Sequence, residues 1–196
     1  MNNCGTVTLE TRRLLLRRFV PEDAAAMYRT WASDPEVTRW LRWPCHTSPE
    51  ETASVLRGWC FAYDEEPDYY NWAITLKETN ALIGSISLLP ESDGYEPGYA
   101  LGRAYWGRGY ATEALCAVTE FAFHTLQLPQ LFCRHAAQNP ASGKVMEHAG
   151  FVYSHDARCT TFDRKHEFVC RCYLLKKPLY AEQDPGAICS PGKDFL

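Results

Sequence analysis

The pattern of hydrophobic and polar residues divides the first third of the chain into one strand and two helices. Residues 8–19 combine β-branched and leucine side chains and are followed by a turn-like Val-Pro, which predicts a strand. Residues 21–32 open with Pro-Glu-Asp and continue with good helix formers, as the N-terminus of a helix does. The tetrapeptide SPEE at 48–51 is a capping box, so a second helix is predicted to run to about Tyr63.

The middle of the chain predicts three strands and a long helix. Residues 69–77 and 82–90 are rich in aromatic and β-branched side chains and are joined by the polar ETNA, which favours an antiparallel hairpin. Residues 95–101 predict a third strand, at a bulge or a sheet edge because it contains Pro and Gly. Between 111 and 126 the apolar residues recur at helical spacing.

The last third predicts a strand at 130–137, a short helix at 140–149 with Gly150 as its C-cap, and strands near 151–157 and 166–175. The order β-α-α-β-β-β-α-β-α-β-β indicates an α/β (α+β) fold, with helices on both faces of a mixed, mostly antiparallel sheet of about six to seven strands.

Composition limits the class of protein. The 46% of hydrophobic residues among 196 predicts a packed core in one domain, expected to span 1–177, and residues 178–196 are expected to form an extended or loosely attached tail. A net charge of -4 without any Lys/Arg-rich run gives no support for a nucleic-acid interface, so we expect no nucleic-acid partner. No signal-peptide core or membrane-length apolar run is visible, so we expect a cytoplasmic protein without membrane contact.

The nine cysteines are scattered and never spaced C-x-x-C, so we expect reduced thiols. One cluster contains both kinds of zinc-ligating side chain; its members are His155, Cys159, His166, Cys170 and Cys172. The favoured alternative is that Cys170 and Cys172 lie on one face of a strand and simply pack there, so no metal is expected.

The stretch 103-RAYWGRGYATEAL-115 joins a predicted strand to a predicted helix through two glycines. It is not a Walker A loop, and a dinucleotide fingerprint would need a glycine at Thr112. Gly107 and Gly109 allow a tight turn, and the free N–H groups of the first helical turn favour an anion such as pyrophosphate. Arg103 and Arg108 could add contacts to phosphate; the alternative is a turn without a ligand.

Two segments, GYALGRAYWGRGYATEAL and the later NPASGKVMEHAGF, together resemble the GNAT superfamily of acetyl-CoA-dependent N-acetyltransferases. The chain is most similar to the branch of the RimJ/RimL-type ribosomal-protein N-terminal acetyltransferases, which also shares the segment 33-SDPEVTRWLRWP-44. The resemblance covers about residues 8 to 177. Its motifs are specific for cofactor and reaction, but not for the acetyl acceptor.

The resemblance implies where acetyl-CoA binds. Its pyrophosphate would lie on the backbone that follows Trp106, which occupies a position often taken by Gln or Arg; the residues are Gly107, Arg108, Gly109, Tyr110, Ala111 and Thr112. The strand at 95–101 would splay from the strand at 131–137 and leave a gap for the pantetheine arm. The backbone of Ala100 and Leu101 would polarise the thioester carbonyl, and Asn139 would contact the pantetheine.

The resemblance also implies the catalytic residues. An amine acceptor is mostly protonated at neutral pH, so a base is needed, and Glu96 matches the family Glu that acts directly or through water. Glu96 could instead be a solvent-facing or substrate-binding carboxylate; Glu167 is the second choice of base. The usual proton-donating Tyr is here Met146, which cannot donate, so Ser142 is the candidate acid or, alternatively, only a helix N-terminal serine.

Three side chains are candidates for contact with the acceptor. His135 could face the acceptor channel, although a packed strand histidine is the favoured alternative. Trp40 and Trp43 could form an aromatic wall for an amine through cation–π attraction, and their spacing of three also fits helical packing.

The sequence therefore predicts an acetyl-CoA-dependent N-acetyltransferase in which a primary amine attacks the thioester directly. A protein N-terminus and a small amine are both open as acceptors. The alternative function is a non-catalytic acyl-CoA-binding or sensing module, and the oligomeric state is open, with a homodimer through the last strands or the tail as one expectation.

Overall fold

The computed structural model describes residues 4–91, 94–161 and 167–177, so the predicted tail at 178–196 lies outside the described residues. Within them, eight strands form two antiparallel sheets, one with the order β1-β2-β3-β4-β5 and one with the order β6-β8-β7. The strands are β1 (Leu9–Glu10), β2 (Leu14–Arg17), β3 (Tyr70–Leu76), β4 (Leu82–Glu91), β5 (Gly94–Leu101), β6 (Gln130–Ala136), β7 (Val152–Thr160) and β8 (Glu167–Lys176).

Helices fill the connections in the predicted order, which confirms the α/β fold class. They are α1 (Ala24–Met27), α2 (Pro35–Thr38), α3 (Pro49–Glu65), α4 (Tyr110–His124) and α5 (Pro140–His148). The predicted first helix is short because 3-10 geometry at Pro21–Asp23 precedes α1 and a π-helical turn at Tyr28–Ala32 follows it.

The first predicted strand is the main error in the secondary structure. The chain turns between β1 and β2, where the Thr11 N–H donates to the Leu14 carbonyl at 3.0 Å. The Thr11 hydroxyl oxygen accepts from the Leu14 N–H at 2.9 Å, so the side chain closes the same turn. One long strand is therefore two short paired strands, which raises the number of strands to eight.

The predicted caps are confirmed. The Ser48 hydroxyl oxygen accepts from the Glu51 N–H at 3.1 Å at the start of α3. At the end of α5, Gly150 has a φ of +88°, and the Phe151 N–H returns to the Met146 carbonyl at 3.0 Å. This left-handed residue ends α5 and directs the chain into β7.

Helices cover both faces of the five-stranded sheet because successive side chains of β3 alternate between them. Trp72 lies on one face and meets Phe121 of α4 edge to face, with 5.6 Å between ring centroids. Ala73 lies on the other face, in a second core with Met27 of α1 and Leu56 of α3. Each face thus has its own buried core.

Strands β5 and β6 are the facing edges of the two sheets, and they meet at the middle of each strand. There the Cys133 thiol of β6 lies 3.4 Å from the Pro97 carbonyl of β5. Pro97 has no N–H to donate, which confirms the predicted edge position of this strand. The strands separate towards Leu101 and Ala136, and the separation leaves a gap between the sheets.

Gly84 of β4 is predicted to be essential for the position of β5. A Cβ atom there would lie 2.2 Å from the Ala100 carbonyl oxygen and 2.5 Å from Leu101 Cδ2. We expect Gly84→Ala to lower the free energy of unfolding by about 1–3 kcal/mol, because β5 must move to admit the methyl group. Urea unfolding measures the change.

The matched control for this substitution is Gly58→Ala in α3, where a Cβ atom would meet nothing within 4 Å. Alanine should stabilise that position by about 0.5–1 kcal/mol because it favours the helix. Equal unfolding free energies for the two variants would contradict the predicted close packing of β4 against β5.

Candidate active site

A cavity of about 1730 Å³ lies between the ends of β5 and β6 and reaches the start of α4. Ligand pockets of about 300–1,000 Å³ are common, so this cavity has room for a large cofactor together with an acceptor. Fourteen side chains or backbone segments singled out from the sequence line it: Trp40, Trp43, Glu96, Ala100, Leu101, Trp106, Gly107, Gly109, Tyr110, Ala111, Thr112, His135, Asn139 and Ser142.

The glycine turn forms one end of the cavity. Gly107 and Gly109 have φ values of +70° and +75°, a left-handed conformation that glycine adopts at little cost. Gly109 is the N-cap of α4, so the N–H groups of the first helical turn begin at Tyr110 beside the cavity. This geometry suits a bound anion, as the sequence predicts.

The two arginines of the turn do not line the cavity. The Arg103 Nε donates to Asp34 Oδ2 at 2.5 Å, so its charge ties the turn to the segment before α2. Arg108 presents its carbonyl oxygen to Arg13 at 2.9 Å. Trp106 lines the cavity, and its Nε1–H donates to the Leu101 carbonyl at 2.7 Å, which fixes the turn to the end of β5.

The backbone of β5 offers the gap two N–H groups. The Gly102 N–H donates to the Ile83 carbonyl at 2.9 Å, and the register pairs Ala100 with Ser85. Because hydrogen-bonded and non-hydrogen-bonded pairs alternate in an antiparallel ladder, Ala100 directs its N–H and C=O to β4. The N–H groups of Tyr99 and Leu101 point to the gap. Of the two expected backbone contacts, the geometry favours Leu101, with Tyr99 in place of Ala100.

Glu96 lies on the cavity wall in a bidentate pair with Arg134 of β6. The Arg134 Nε is 2.9 Å from both carboxylate oxygens, and the second guanidinium nitrogen is 2.6 Å from Oε2. The hydrogen bond to Glu96 is the main cause that raises the pKa of the Arg134 guanidinium above its usual value. The cavity therefore holds a carboxylate whose orientation is fixed from the opposite strand.

The pair belongs to a longer chain of charges. Arg134 also lies 3.5 Å from Glu91, and Arg42 donates to Glu91 Oε1 at 3.0 Å. Two arginines and two carboxylates therefore alternate along this wall, so the four charges balance.

Ser142, at the start of α5, is connected to a partly buried tyrosine. The Tyr99 hydroxyl lies 2.8 Å from the Ser142 hydroxyl and 3.0 Å from the Ser142 carbonyl oxygen. Burial raises the pKa of the Tyr99 phenol, so it remains protonated and able to donate. The N-terminal cap of α5 comes from Asn139, whose side-chain oxygen accepts the Ser142 N–H at 3.4 Å, and not from the serine hydroxyl. Met146 is buried beneath them.

His135 is packed as well as cavity-lining. Its side chain is buried against Tyr173, with 5.5 Å between ring centroids, and its Nδ1 lies 2.8 Å from the Ala136 carbonyl. A Cβ atom on Gly143 would lie 2.7 Å from His135 Nε2, so the imidazole is held against α5. This placement favours the packed alternative.

The predicted tryptophans lie in the non-helical segment after α2, so helical packing does not explain their spacing. Both line the cavity, as do Trp59 of α3 and Tyr69 before β3. Trp43 also packs on His46, with 5.1 Å between ring centroids. An aromatic wall therefore borders the end of the cavity that holds the charge chain.

Glu167, the second candidate base, is exposed at the start of β8 and is not among the described residues that line the cavity.

One cysteine differs from the expectation that all are reduced thiols. Seven of the cysteines in residues 4–91, 94–161 and 167–177 are free, but Cys116 of α4 is disulfide-bonded. In the same ranges no group of three or more His, Cys, Asp or Glu is placed to hold a metal, and His166 of the candidate cluster lies outside them. No helix of the described chain is long and apolar enough to cross a bilayer.

Sequence reasoning missed Tyr99, Arg134 and Glu91. Tyr99 had a signal, because it is two residues from Leu101 on one strand and so shares its backbone direction. No sequence signal could have revealed the ion pair of Arg134 with Glu96, since it depends on how two sheets meet.

Comparisons with known proteins agree with this geometry. The family model described as an acetyltransferase (GNAT) domain matches residues 13–152. The chain is 31% identical over 147 residues to the uncharacterized N-acetyltransferase p20 of Bacillus licheniformis, covering 74% of this chain and 82% of that protein. It superposes on a GNAT-family acetyltransferase from Bacillus anthracis with a TM-score of 0.74 at 22% identity, covering 87% and 98% of the two chains. The ribosomal-protein-S5-alanine acetyltransferase of Vibrio fischeri superposes with a TM-score of 0.70 at 18% sequence identity, and the match covers 88% of this chain and 100% of that one.

Proposed function

This chain belongs to the acetyltransferase (GNAT) family, and on that premise we propose that it acetylates the α-amine at the N-terminus of a protein or peptide. Its activity as an acetyl-CoA-dependent acyltransferase follows from the family, whereas the acceptor is our proposal. The charge-balanced wall beside Glu96 is the observation that carries it.

The described residues fit acetyl-CoA, which supplies the activated acetyl group as a thioester. The N–H groups at the start of α4 suit its pyrophosphate. The N–H groups of Tyr99 and Leu101 suit the pantetheine amide and the thioester carbonyl in the gap. Asn139 lies at the cavity with its oxygen engaged by α5, which leaves its NH₂ group for a pantetheine carbonyl.

In this proposal the protein residues divide the chemistry between them. Glu96 takes a proton from the acceptor amine, directly or through water, so that nitrogen can attack the carbonyl carbon. The β5 N–H group that meets the thioester carbonyl stabilises the negative charge that develops on its oxygen. Ser142, backed by Tyr99, donates a hydrogen bond to the sulfur as the carbon–sulfur bond breaks.

Two features of the cavity support this acceptor class: the charge chain that contains Glu96, and the aromatic wall beside it. A polyamine or aminoglycoside carries several positive charges and would need surplus carboxylates, but Glu91 and Glu96 are already paired with Arg42 and Arg134. A peptide N-terminus brings one titratable amine and a polar backbone. The aromatic wall at Trp43 suits its first side chains. The RimJ/RimL-like branch, to which the name of the Vibrio fischeri structure also points, is part of this proposal.

Mass spectrometry with acetyl-CoA tests the proposal against three acceptor panels: peptides with varied N-termini, polyamines and aminoglycosides. We expect a gain of one acetyl group on peptides alone. Acetylation of a polyamine or an aminoglycoside would overturn the acceptor class. Mass detection is preferable to a thiol-reactive dye because the chain has nine cysteines.

A further inference from the structure

Arg13, the last residue of the turn between β1 and β2, contacts the glycine turn that begins α4. We propose that Arg13 and Glu113 are positioning residues that hold the Arg108–Gly109 peptide in the orientation needed for the pyrophosphate of acetyl-CoA. The inference rests on the proposed assignment of this turn to pyrophosphate, and it adds two residues outside that turn.

Glu113 in the first turn of α4 collects three donors from the β1–β2 turn. Its Oε1 accepts from the Thr11 hydroxyl at 2.6 Å and from the Arg13 N–H at 2.8 Å, and its Oε2 accepts from Arg13 Nε at 2.6 Å. The Arg13 and Glu113 side chains are 34% and 17% exposed, so neither is a freely solvated surface group. Three bonds on one carboxylate fix the position of the guanidinium.

The remaining surface of Arg13 faces the glycine turn. One guanidinium nitrogen donates to the Arg108 carbonyl at 2.9 Å. The guanidinium carbon lies 4.4 Å from the centroid of the Tyr110 ring, in a cation–π contact. The other terminal nitrogen would lie 3.4 Å from a Cβ atom on Gly109. Arg13 therefore touches three successive residues at the N-terminus of α4.

The contact between Arg13 and the Arg108 carbonyl sets the orientation of the Arg108–Gly109 peptide plane. In a planar trans peptide the C=O of Arg108 and the N–H of Gly109 point in opposite directions. Rotation of this peptide plane changes ψ of Arg108 and φ of Gly109, and Gly109, whose φ is +75°, offers little resistance to that change. With Arg13 holding the carbonyl, the Gly109 N–H points away from Arg13. After rotation the carbonyl would replace that N–H and repel an anion.

The positive charge of Arg13 is neutralised by Glu113. Burial alone would raise the pKa of the Glu113 carboxyl, but the hydrogen bonds from Thr11 and Arg13 outweigh it and hold the pKa below its usual value. Glu113 is therefore ionised at neutral pH and neutralises Arg13. The pair contributes orientation of the peptide and not net attraction for phosphate.

The test compares two acetyl donors, acetyl-CoA and S-acetylpantetheine, which lacks the pyrophosphate. For Arg13→Gln we expect KM for acetyl-CoA to rise about tenfold or more at nearly unchanged kcat, and kcat/KM for S-acetylpantetheine to remain within about twofold. Glu113→Gln should change the kinetics with the two acetyl donors in the same way as Arg13→Gln, because it releases the Arg13 guanidinium. Arg13→Lys should not rescue, because lysine keeps the charge but lacks the fork that serves both partners.

Arg17→Gln is the matched control. Arg17, the last residue of β2, is also held by a carboxylate: its two terminal guanidinium nitrogens lie 2.7 and 2.8 Å from the Asp23 oxygens, away from the glycine turn. It should lower the urea midpoint while leaving the preference of the folded enzyme between the two donors unchanged. If Arg13→Gln lowered kcat/KM equally for acetyl-CoA and S-acetylpantetheine, the positioning role would be overturned. Wild-type kinetics in Arg13→Lys would overturn it too.

The wild-type enzyme separates this inference from its premise. If it used S-acetylpantetheine as well as acetyl-CoA, the pyrophosphate assignment itself would fail. A wild-type preference for acetyl-CoA that Arg13→Gln left intact would overturn the role of Arg13 alone.

Discussion

Glu96→Gln is expected to lower kcat by about 10²- to 10⁴-fold, the range that a general base contributes, while acetyl-CoA binding persists. Glutamine keeps the shape of the side chain and one oxygen that can accept from Arg134, but it cannot take a proton from the acceptor amine. Steady-state kinetics with mass detection gives kcat, and calorimetric titration with coenzyme A gives the affinity.

Glu91→Gln is the matched control, because Glu91 touches the same arginine at 3.5 Å without the bidentate pair. It should change kcat by less than about tenfold, as expected for a partly exposed charge. Similar losses in the two variants would show that charge balance on the wall, and not proton transfer, is what Glu96 provides.

Arg134→Gln separates the remaining alternatives. If Glu96 is the base, this variant releases the carboxylate and retains part of the activity, and adding Glu96→Gln to it lowers kcat further. If the ion pair only holds β5 beside β6, either single substitution should cause the full loss and the double variant should be no worse.

The parts of this fold that the sequence predicted depend on local signals. The Ser48 cap, the glycine after α5 and the helical spacing within α4 each involve residues within about two helical turns, and each is confirmed. The chain reversal at Thr11 was missed because it uses no glycine or proline. A threonine whose hydroxyl oxygen accepts from the N–H three residues on, at Leu14, supplies it instead, and that is a weak signal in a sequence.

The contacts within and beside the candidate site could not be predicted in the same way, since they join elements far apart in the chain. Arg134 meets Glu96 across 38 positions, and Arg103 meets Asp34 across 69. Both arginines were visible as charges near candidate motifs, but only the packing of the elements decides which carboxylate each one reaches. Arg103 was therefore expected at phosphate, where the structure gives it a carboxylate partner.

Ser142→Ala and Tyr99→Phe are each expected to lower kcat by about 10²-fold, with little change in KM for acetyl-CoA. Removing one donor from a developing negative charge costs about this much in other enzymes. The single Tyr99 proton can go to the Ser142 carbonyl at 3.0 Å or to the Ser142 hydroxyl at 2.8 Å. In the proposed relay it goes to the hydroxyl, which frees the serine proton for the leaving sulfur. Steady-state kinetics of each variant measures the effect.

Two further variants test the specificity of this effect. Ser142→Thr keeps the hydroxyl and should retain most activity. Tyr173→Phe removes another buried phenol, which donates to Glu147 of α5 at 3.2 Å and does not contact Ser142. It should leave kcat within about threefold, because the phenol has no part in the reaction. A loss in Tyr173→Phe as large as in Tyr99→Phe would indicate that general disturbance of α5 explains both.

The double variant decides whether the two hydroxyls act as one unit. Burial raises the pKa of Tyr99, so the phenol stays protonated and can donate throughout the pH range in which amines become reactive. If its only role is to donate to Ser142, the combined substitution should cost no more than the larger single loss. Losses that multiply would mean that each hydroxyl acts on the reaction separately, and the proposed relay from Tyr99 through Ser142 would be wrong.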